Sequence, residues 1–183
     1  MILEKFDKDL LPNIVYLSEI DSTNEYAKKI YKNSDYHYKV IITDNQYDGK
    51  GTKGRVWLST PNKNCTFSIT IKTDKWVGFL DNLSVIVADE ISNYLNDRFQ
   101  IDTHIKGQND IYCGEKKLVG ILIETLVNDN KIKHLLIGVG INVNQDIFED
   151  SLNNSATSIK LEVGEEVDIE NIINDICMLI IKI

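Results

Sequence analysis

The sequence predicts an α+β domain, a mixed and largely antiparallel sheet backed by helices. Three observations carry this prediction. Short alternating or β-branched runs come in pairs joined by turn residues, which is the order of hairpins. Other segments repeat apolar residues every three or four positions, which is the order of amphipathic helices. Strands and helices do not alternate strictly along the chain, which fits α+β organisation.

Residues 14–17 form a short apolar strand. Ser22-Thr23-Asn24-Glu25 then matches a capping box, with Ser22 as N-cap and Glu25 three residues on, ahead of Ala27, Ile30 and Tyr31 at helical spacing. Residues 40–43 are a β-branched strand, and residues 48–54 a loop rich in glycine and lysine. Residues 66–72 alternate, with Phe67, Ile69 and Ile71 on one face, as in a half-buried strand. Leu83, Ile86, Val87, Ile91, Tyr94 and Leu95 mark an amphipathic helix over residues 82–99. Cys113-Gly114-Glu115-Lys116 is a hairpin turn, and residues 118–127 and 134–143 are strands joined by Asn128-Asp129-Asn130-Lys131. Asp168 caps a last helix carrying Ile172, Ile173, Ile176, Leu179, Ile180 and Ile183.

The chain has 183 residues, with 28 acidic against 20 basic side chains and a formal charge of -8. That length suits a single domain over residues 1–183 with a core of its own. An acidic surface repels phosphate backbones, so no nucleic-acid partner is expected, although a local basic pocket is compatible with the balance. Cys65, Cys113 and Cys177 are odd in number and form no CxxC, which predicts reduced thiols. There is no signal-peptide pattern at the start and no apolar run of membrane-spanning length. A cytoplasmic location follows as the expectation, with no membrane partner.

Three segments place polar residues where a simple fold has no use for them. In residues 49–55, three glycines alternate with Lys50, Lys53 and Arg55 around Thr52. Glycine lets backbone N–H groups come close to a ligand, and the cations suit an anion. A solvated polar loop is the plain alternative. The segment is not a Walker motif, because Gly54 is followed by Arg55-Val56 and not by Lys-Ser/Thr. Gly138-Val139-Gly140-Ile141-Asn142 lacks the third glycine of a dinucleotide fingerprint. The second segment is Lys106-Gly107-Gln108-Asn109-Asp110 and the third runs from Lys116 to Glu124. Lys117 immediately precedes an apolar strand, where it is either a site residue or a surface lysine capping the hairpin. His37, His104 and His134 show no ligand spacing, so no protein-held metal site is expected.

In this order the segments resemble the biotin–protein ligase family, whose signatures read S-T-N, G-R-G-R-x-G-R-x-W, K-W-P-N-D, R-K-L-x-G-I-L-x-E and G-x-G-I-N. This chain has Ser22-Thr23-Asn24, Gly49 through Trp57, Lys106 through Asp110, Lys116 through Glu124 and Gly138 through Asn142, followed by Ala156-Thr157-Ser158-Ile159. The resemblance implies a core related to class II aminoacyl-tRNA synthetases and lipoate ligases. It implies that biotin is activated with ATP to biotinyl-5'-AMP and pyrophosphate. Biotin is then passed to a lysine of a biotin carboxyl carrier protein. It also implies a catalytic domain; unlike some of the family, neither a DNA-binding domain before Ile14 nor the family's small domain after the last helix is expected. A homodimer is one option that the sequence leaves open.

By that resemblance Ser22, Thr23, Asn24, Gln46, Gly49, Lys50, Gly51, Thr52, Trp57, Lys117 and Gly120 bind biotin. Lys50, Lys53, Arg55, Lys106, Asn109, Lys117 and Asn142 bind ATP, with Mg²⁺ neutralising further charge. Lys117, Lys106, Arg55 and Asp110 carry the chemistry, with Asp110 as base or orienting group. A turn-capping or salt-bridging Asp110 is the competing reading, and for Ser22 the competing role is helix capping. The glycine-rich loop would close over the adenylate and exclude water.

The chain departs from the family pattern in two places. Lys50 and Thr52 stand where the family has arginines, and neither reproduces a planar bidentate fork. Gly107 and Gln108 replace the tryptophan and proline of the third signature. These departures keep a non-catalytic biotin-binding or sensing protein in view. Lipoate–protein ligation is the alternative within the same superfamily.

Overall fold

The computed structural model describes residues 3–30, 36–73, 82–128 and 131–183. Tyr31 and the centre of the 128–131 turn lie outside them. The architecture is the expected α+β one, built on a seven-stranded sheet. Its strands are β1 (Ile14–Ile20), β2 (Tyr38–Gln46), β5 (Asn64–Lys72), β6 (Thr103–Lys106), β7 (Asp110–Cys113), β8 (Lys116–Asn128) and β9 (Lys131–Asn142), in the order β1-β2-β5-β9-β8-β7-β6. Every neighbouring pair is antiparallel except β1 and β2. These two are joined through helix α1 (Thr23–Ile30), and a helical crossover is what returns a chain parallel to its previous strand.

One sheet face packs on α2 (Leu83–Phe99) and α4 (Ile169–Ile180). Val40, Ile42, Phe67, Ile69, Val139 and Ile141 meet Val87, Ile91, Leu95, Ile172 and Ile176 there, all buried. Burial of such side chains contributes ~1.5–3 kcal/mol each and drives the fold. The Asp168 carboxylate accepts from Asn171 N at 3.0 Å, so it caps α4 as expected. That helix stops at Ile180, short of Ile183, which is half exposed and has no core to face. A short helix α3 (Ile159–Val163), capped by Ser158, was not predicted.

Three expectations need correction. Glu25 does not complete a capping box, because its carboxylate pairs with Lys28 at 2.7 Å. Asp21 Oδ1 instead accepts the Ser22 N–H at 2.7 Å. Residues 48–54 are not a plain loop: β3 (Gly49–Lys50) pairs with β4 (Val56–Trp57) around a 3-10 turn at Thr52–Gly54. Finally, β5 is buried on both faces from Asn64 to Thr70. Its Thr66, Ser68 and Thr70 face away from the main core, where α1 and the β3–β4 segment come over them. No helix among the described residues is long and apolar enough to cross a membrane.

Candidate active site

The sheet register brings the site together. One cross-strand row runs Thr43, Thr66, Gly140, Gly120, Asp110 across β2, β5, β9, β8 and β7. The next row runs Ile41, Ser68, Gly138, Leu122. Side chains alternate across a sheet, so both rows face the side opposite the main core. Thr66, Gly140, Gly120 and Asp110 of the first row and Gly138 and Leu122 of the second floor a cavity of about 290 Å³, walled by α1, by the β3–β4 segment and by residues 148–156.

The glycines of the floor are there for room. A Cβ on Gly140 would lie 2.3 Å from Trp57 Cε2, and one on Gly120 2.7 Å from Trp57 Cζ3. A Cβ on Gly138 would lie 2.5 Å from Asn24 Oδ1. The floor therefore accepts the indole of Trp57 over one row and the amide of Asn24 over the other.

At the α1 end the cavity is polar and buried. Gln46 Oε1 accepts from Thr23 N at 2.9 Å and lies 3.2 Å from Thr23 Oγ1. Ser68 Oγ lies 2.7 Å from Thr23 Oγ1 and 2.5 Å from Asn24 Oδ1. Ser22 Oγ accepts the Glu25 N–H at 3.4 Å, a long capping bond at the start of α1. Above the glycines the wall is apolar, made by Trp57 and Leu122.

At the β7 end the cavity is charged. Lys117 Nζ lies 2.8 Å from Asp110 Oδ1 and 5.5 Å from the Trp57 ring centre. Arg55 Nη2 donates to Thr52 Oγ1 at 2.7 Å and lies 3.9 Å from Asp110 Oδ2. Among the described residues, Lys50, Arg55 and Lys117 line the cavity with one carboxylate, Asp110, while Lys50 also pairs with Asp48 at 2.5 Å, which leaves an excess of one positive charge over these five groups in an acidic protein. Asn109 Nδ2 donates to Ile121 O at 2.8 Å, and Asn142 Nδ2 to Thr157 O at 3.0 Å, which fixes both amides on the wall.

Ser22, Thr23, Asn24, Gln46, Lys50, Gly51, Thr52, Arg55, Trp57, Asn109, Asp110, Lys117, Gly120 and Asn142 thus all line one cavity, although they are spread from residue 22 to residue 142. Three expected residues do not. Gly49 lies behind Trp57, where a Cβ would come 2.4 Å from the Trp57 carbonyl oxygen. Lys53 is exposed with a left-handed φ of 57°. Lys106 lies 4.9 Å from the ring centre of Tyr112, which does line the cavity, and 3.6 Å from Glu115.

Sequence reasoning missed Phe148, Leu152 and Ser155 on the wall, and gave Ala156 no role there. The Ala156 segment runs parallel beside Lys117: Lys117 N donates to Ser155 O, and Thr157 N to Lys117 O. It missed Ser68 as well. A strand whose polar face reads Thr66-x-Ser68-x-Thr70, with core residues between, was the available signal. Among the described residues, no group of three or more His, Cys, Asp or Glu could hold a metal ion.

Known proteins are similar in sequence and in fold. A Bacillus spizizenii protein named bifunctional ligase/repressor BirA is 31% identical over 91% of this chain and 52% of its own length. The Escherichia coli protein of the same name is 27% identical over 85% of this chain and 48% of its own length. The chain therefore spans about half the length of these curated relatives. Among solved structures, the biotin protein ligase of Aquifex aeolicus in complex with biotin and ATP superposes with a TM-score of 0.78. It is 28% identical, and the match covers 93% of this chain and 69% of that one. A putative lipoate protein ligase of T. acidophilum shares the fold at a TM-score of 0.61, 15% identity, and coverage of 91% of this chain and 82% of that one. Residues 16–142, more than two thirds of the chain, match the model of one family, and by that match the chain belongs to the biotin/lipoate A/B protein ligase family.

Proposed function

We propose that this chain is a biotin–protein ligase catalytic domain that activates biotin with ATP and transfers it to a carrier lysine. One observation carries the reading: the cavity is graded from buried amides and hydroxyls, through an apolar middle, to a cationic end. Biotin has the same grading, from ureido group through ring and tail to carboxylate. A small-ligand site needs an apolar wall and a few fixed polar partners, and this one has both. Thr23, Asn24 and Gln46 face the ureido group, with Ser22 at their edge. Trp57, over Gly120 and Gly140, packs on the ring and tail. Lys117, Arg55 and Lys50 receive the carboxylate and the phosphates of ATP, and Lys53 and Lys106 act from the rim. Asn109, Asn142 and the 148–156 segment take the nucleotide.

In the first step a biotin carboxylate oxygen attacks the α-phosphorus, and the bond to the leaving pyrophosphate breaks. Two anions must approach, so the cation surplus around Lys117 lowers the barrier by stabilising charge where it develops. In the second step the carrier lysine amine, neutral when it attacks, forms the amide bond, and AMP leaves with the electron pair of the C–O bond. Asp110 orients Lys117 in the first step and accepts a proton from the amine in the second. Mg²⁺ suits this site as an ion delivered on the ATP phosphates, because among the described residues Asp110 is the only lining carboxylate and it already pairs with Lys117. Bound there, it would neutralise phosphate charge.

The test is exchange of labelled pyrophosphate into ATP with biotin or lipoate as the acid. Exchange with biotin alone is expected, and Lys117→Ala should lower it by roughly 10²–10³. Exchange with lipoate only, or with neither acid, would overturn the proposal.

A further inference from the structure

Glu124 closes the Lys116–Glu124 segment, and nothing in the two steps above uses it. Its place follows from the strand: Gly120, Leu122 and Glu124 alternate onto the cavity face of β8. Glu124 does not line the cavity. It reaches under α1 instead, where it accepts from Asn24 Nδ2 at 2.9 Å and from Lys28 Nζ at 2.7 Å. Burial opposes the charge on Lys28, but its hydrogen bonds with Glu124 and Glu25 outweigh this and raise its pKa.

The direction of every proton in the buried chain then follows from donor and acceptor chemistry. Glu124, ion-paired to Lys28, can only accept, so Asn24 turns its NH₂ toward it and its Oδ1 toward Ser68. Oδ1 can only accept, so Ser68 gives it the one hydroxyl proton it has. Ser68 Oγ is then the acceptor for the Thr23 hydroxyl at 2.7 Å. With its one proton given to Ser68, Thr23 Oγ1 has none for Gln46 Oε1 at 3.2 Å, and that acceptor–acceptor contact is relieved by an N–H brought in from the cavity. Gln46 Oε1 already accepts from Thr23 N, and the Gln46 NH₂ is the free end of that amide. The wall thus offers an acceptor at Thr23, while Gln46 Nε2 lies toward Gly49.

We propose that Glu124 is a positioning residue for ligand specificity: it fixes the proton chain Thr23→Ser68→Asn24→Glu124 in one direction and so makes the Thr23 hydroxyl an acceptor for ligand N–H groups. A cyclic urea has N–H groups to give and a carbonyl to receive; a dithiolane has neither. The inference rests on the biotin reading above. Without an acceptor at position 124 the chain can run either way, and Thr23 then meets a ureido N–H as a donor in part of the molecules.

The experiment compares wild type with Glu124→Met, Glu124→Gln, Asn24→Ala and the double variant Asn24→Ala/Glu124→Met. It measures the biotin Kd and the KM for biotin and ATP separately. Glu124→Met should weaken biotin binding about tenfold and leave the ATP KM and the kcat at saturating biotin within about twofold. Glu124→Gln, whose carbonyl can still accept from Asn24, should recover most of the loss. The double variant should bind biotin no worse than Asn24→Ala, because both break one chain. If Glu124→Met does not fold, Ser68→Ala interrupts the same chain and should show the same biotin-only loss. Unchanged biotin affinity in the variant that folds, equal losses for biotin and ATP, no recovery by glutamine, or additive losses in the double variant would each overturn the inference. A wild-type chain that binds no biotin would sink the biotin reading with it, whereas biotin binding indifferent to position 124 would sink this inference alone.

Discussion

The two ends of the cavity are built on different principles. At the α1 end, Thr23 and Asn24 are 3% and 4% exposed and Ser68 is fully buried, each held by two or more partners. In the loop, the Arg55 and Lys50 side chains are 62% and 45% exposed, and their hydrogen bonds go to residues two or three positions away. Buried polar groups are costly unless satisfied, so the first end is rigid before any ligand arrives. Exposed cations keep their hydration and rotamer freedom and must give up both to hold an anion. On the proposed function, a neutral ring would be recognised by preorganisation, and phosphates by a loop that has yet to close over them.

Substitutions in the floor should break the rigid end most severely. Gly140→Ala places a Cβ 2.3 Å from the Trp57 ring, and Gly138→Ala places one 2.5 Å from Asn24 Oδ1. Overpacking of this kind costs ~1–3 kcal/mol, so biotin affinity should fall by about tenfold or more. The two variants should differ in character. Gly138→Ala should hit the polar grip and spare Trp57 fluorescence; Gly140→Ala should change both. Calorimetric biotin titration with the indole emission checks this, and wild-type affinity in either variant would show that the floor is not preorganised.

How much of this was legible in the sequence differs between the ends in the same way. The S-T-N segment, Gln46 and Trp57 were identified by resemblance, and the register then set them in one cavity. Ser68 was not, and Glu124 appeared only as the last residue of a signature without a role, because one strand residue gains meaning only from what crosses over it. The antiparallel hairpins were legible from turn residues. The parallel β1–β2 pair went unremarked, although a strand, a helix and a strand in succession imply it. Phe148, Leu152 and Ser155 lie between the last strand and α3, with no periodicity to announce them. Lys106 and Lys53 matched the pattern of cations and lie outside the cavity wall, because spacing along a chain does not say which way a flexible side chain points.

The loop end should respond to charge and geometry. Thr52 accepts from Arg55 where the family pattern has another arginine. A loop with one guanidinium fewer should hold the adenylate less firmly, so some biotin should reach lysines of bystander protein. Thr52→Arg should lower that labelling several-fold while biotin affinity stays within about twofold, since a fork can grip phosphate where a hydroxyl cannot. Mass spectrometry of albumin incubated with the chain, biotin and ATP measures it. Wild-type labelling confined to the carrier lysine would sink the idea.

The smallest expected effect concerns Ser22, where the two demands on one hydroxyl can be separated. Its capping bond to Glu25 N is long, at 3.4 Å, and Asp21 has taken over the other half of the cap. Glycine is nearly as good an N-cap as serine, whereas alanine costs about 0.5–2 kcal/mol, and a long bond belongs at the low end of that range. Ser22→Gly should therefore leave the melting temperature almost unchanged, and Ser22→Ala should lower it by a few degrees. Both remove the hydroxyl from the cavity wall. A hydroxyl that serves biotin makes the two variants bind equally weakly despite unequal stability. Affinity that instead tracks stability, with glycine close to wild type, would assign Ser22 to the helix alone and leave ureido recognition to the Thr23–Asn24–Gln46 set.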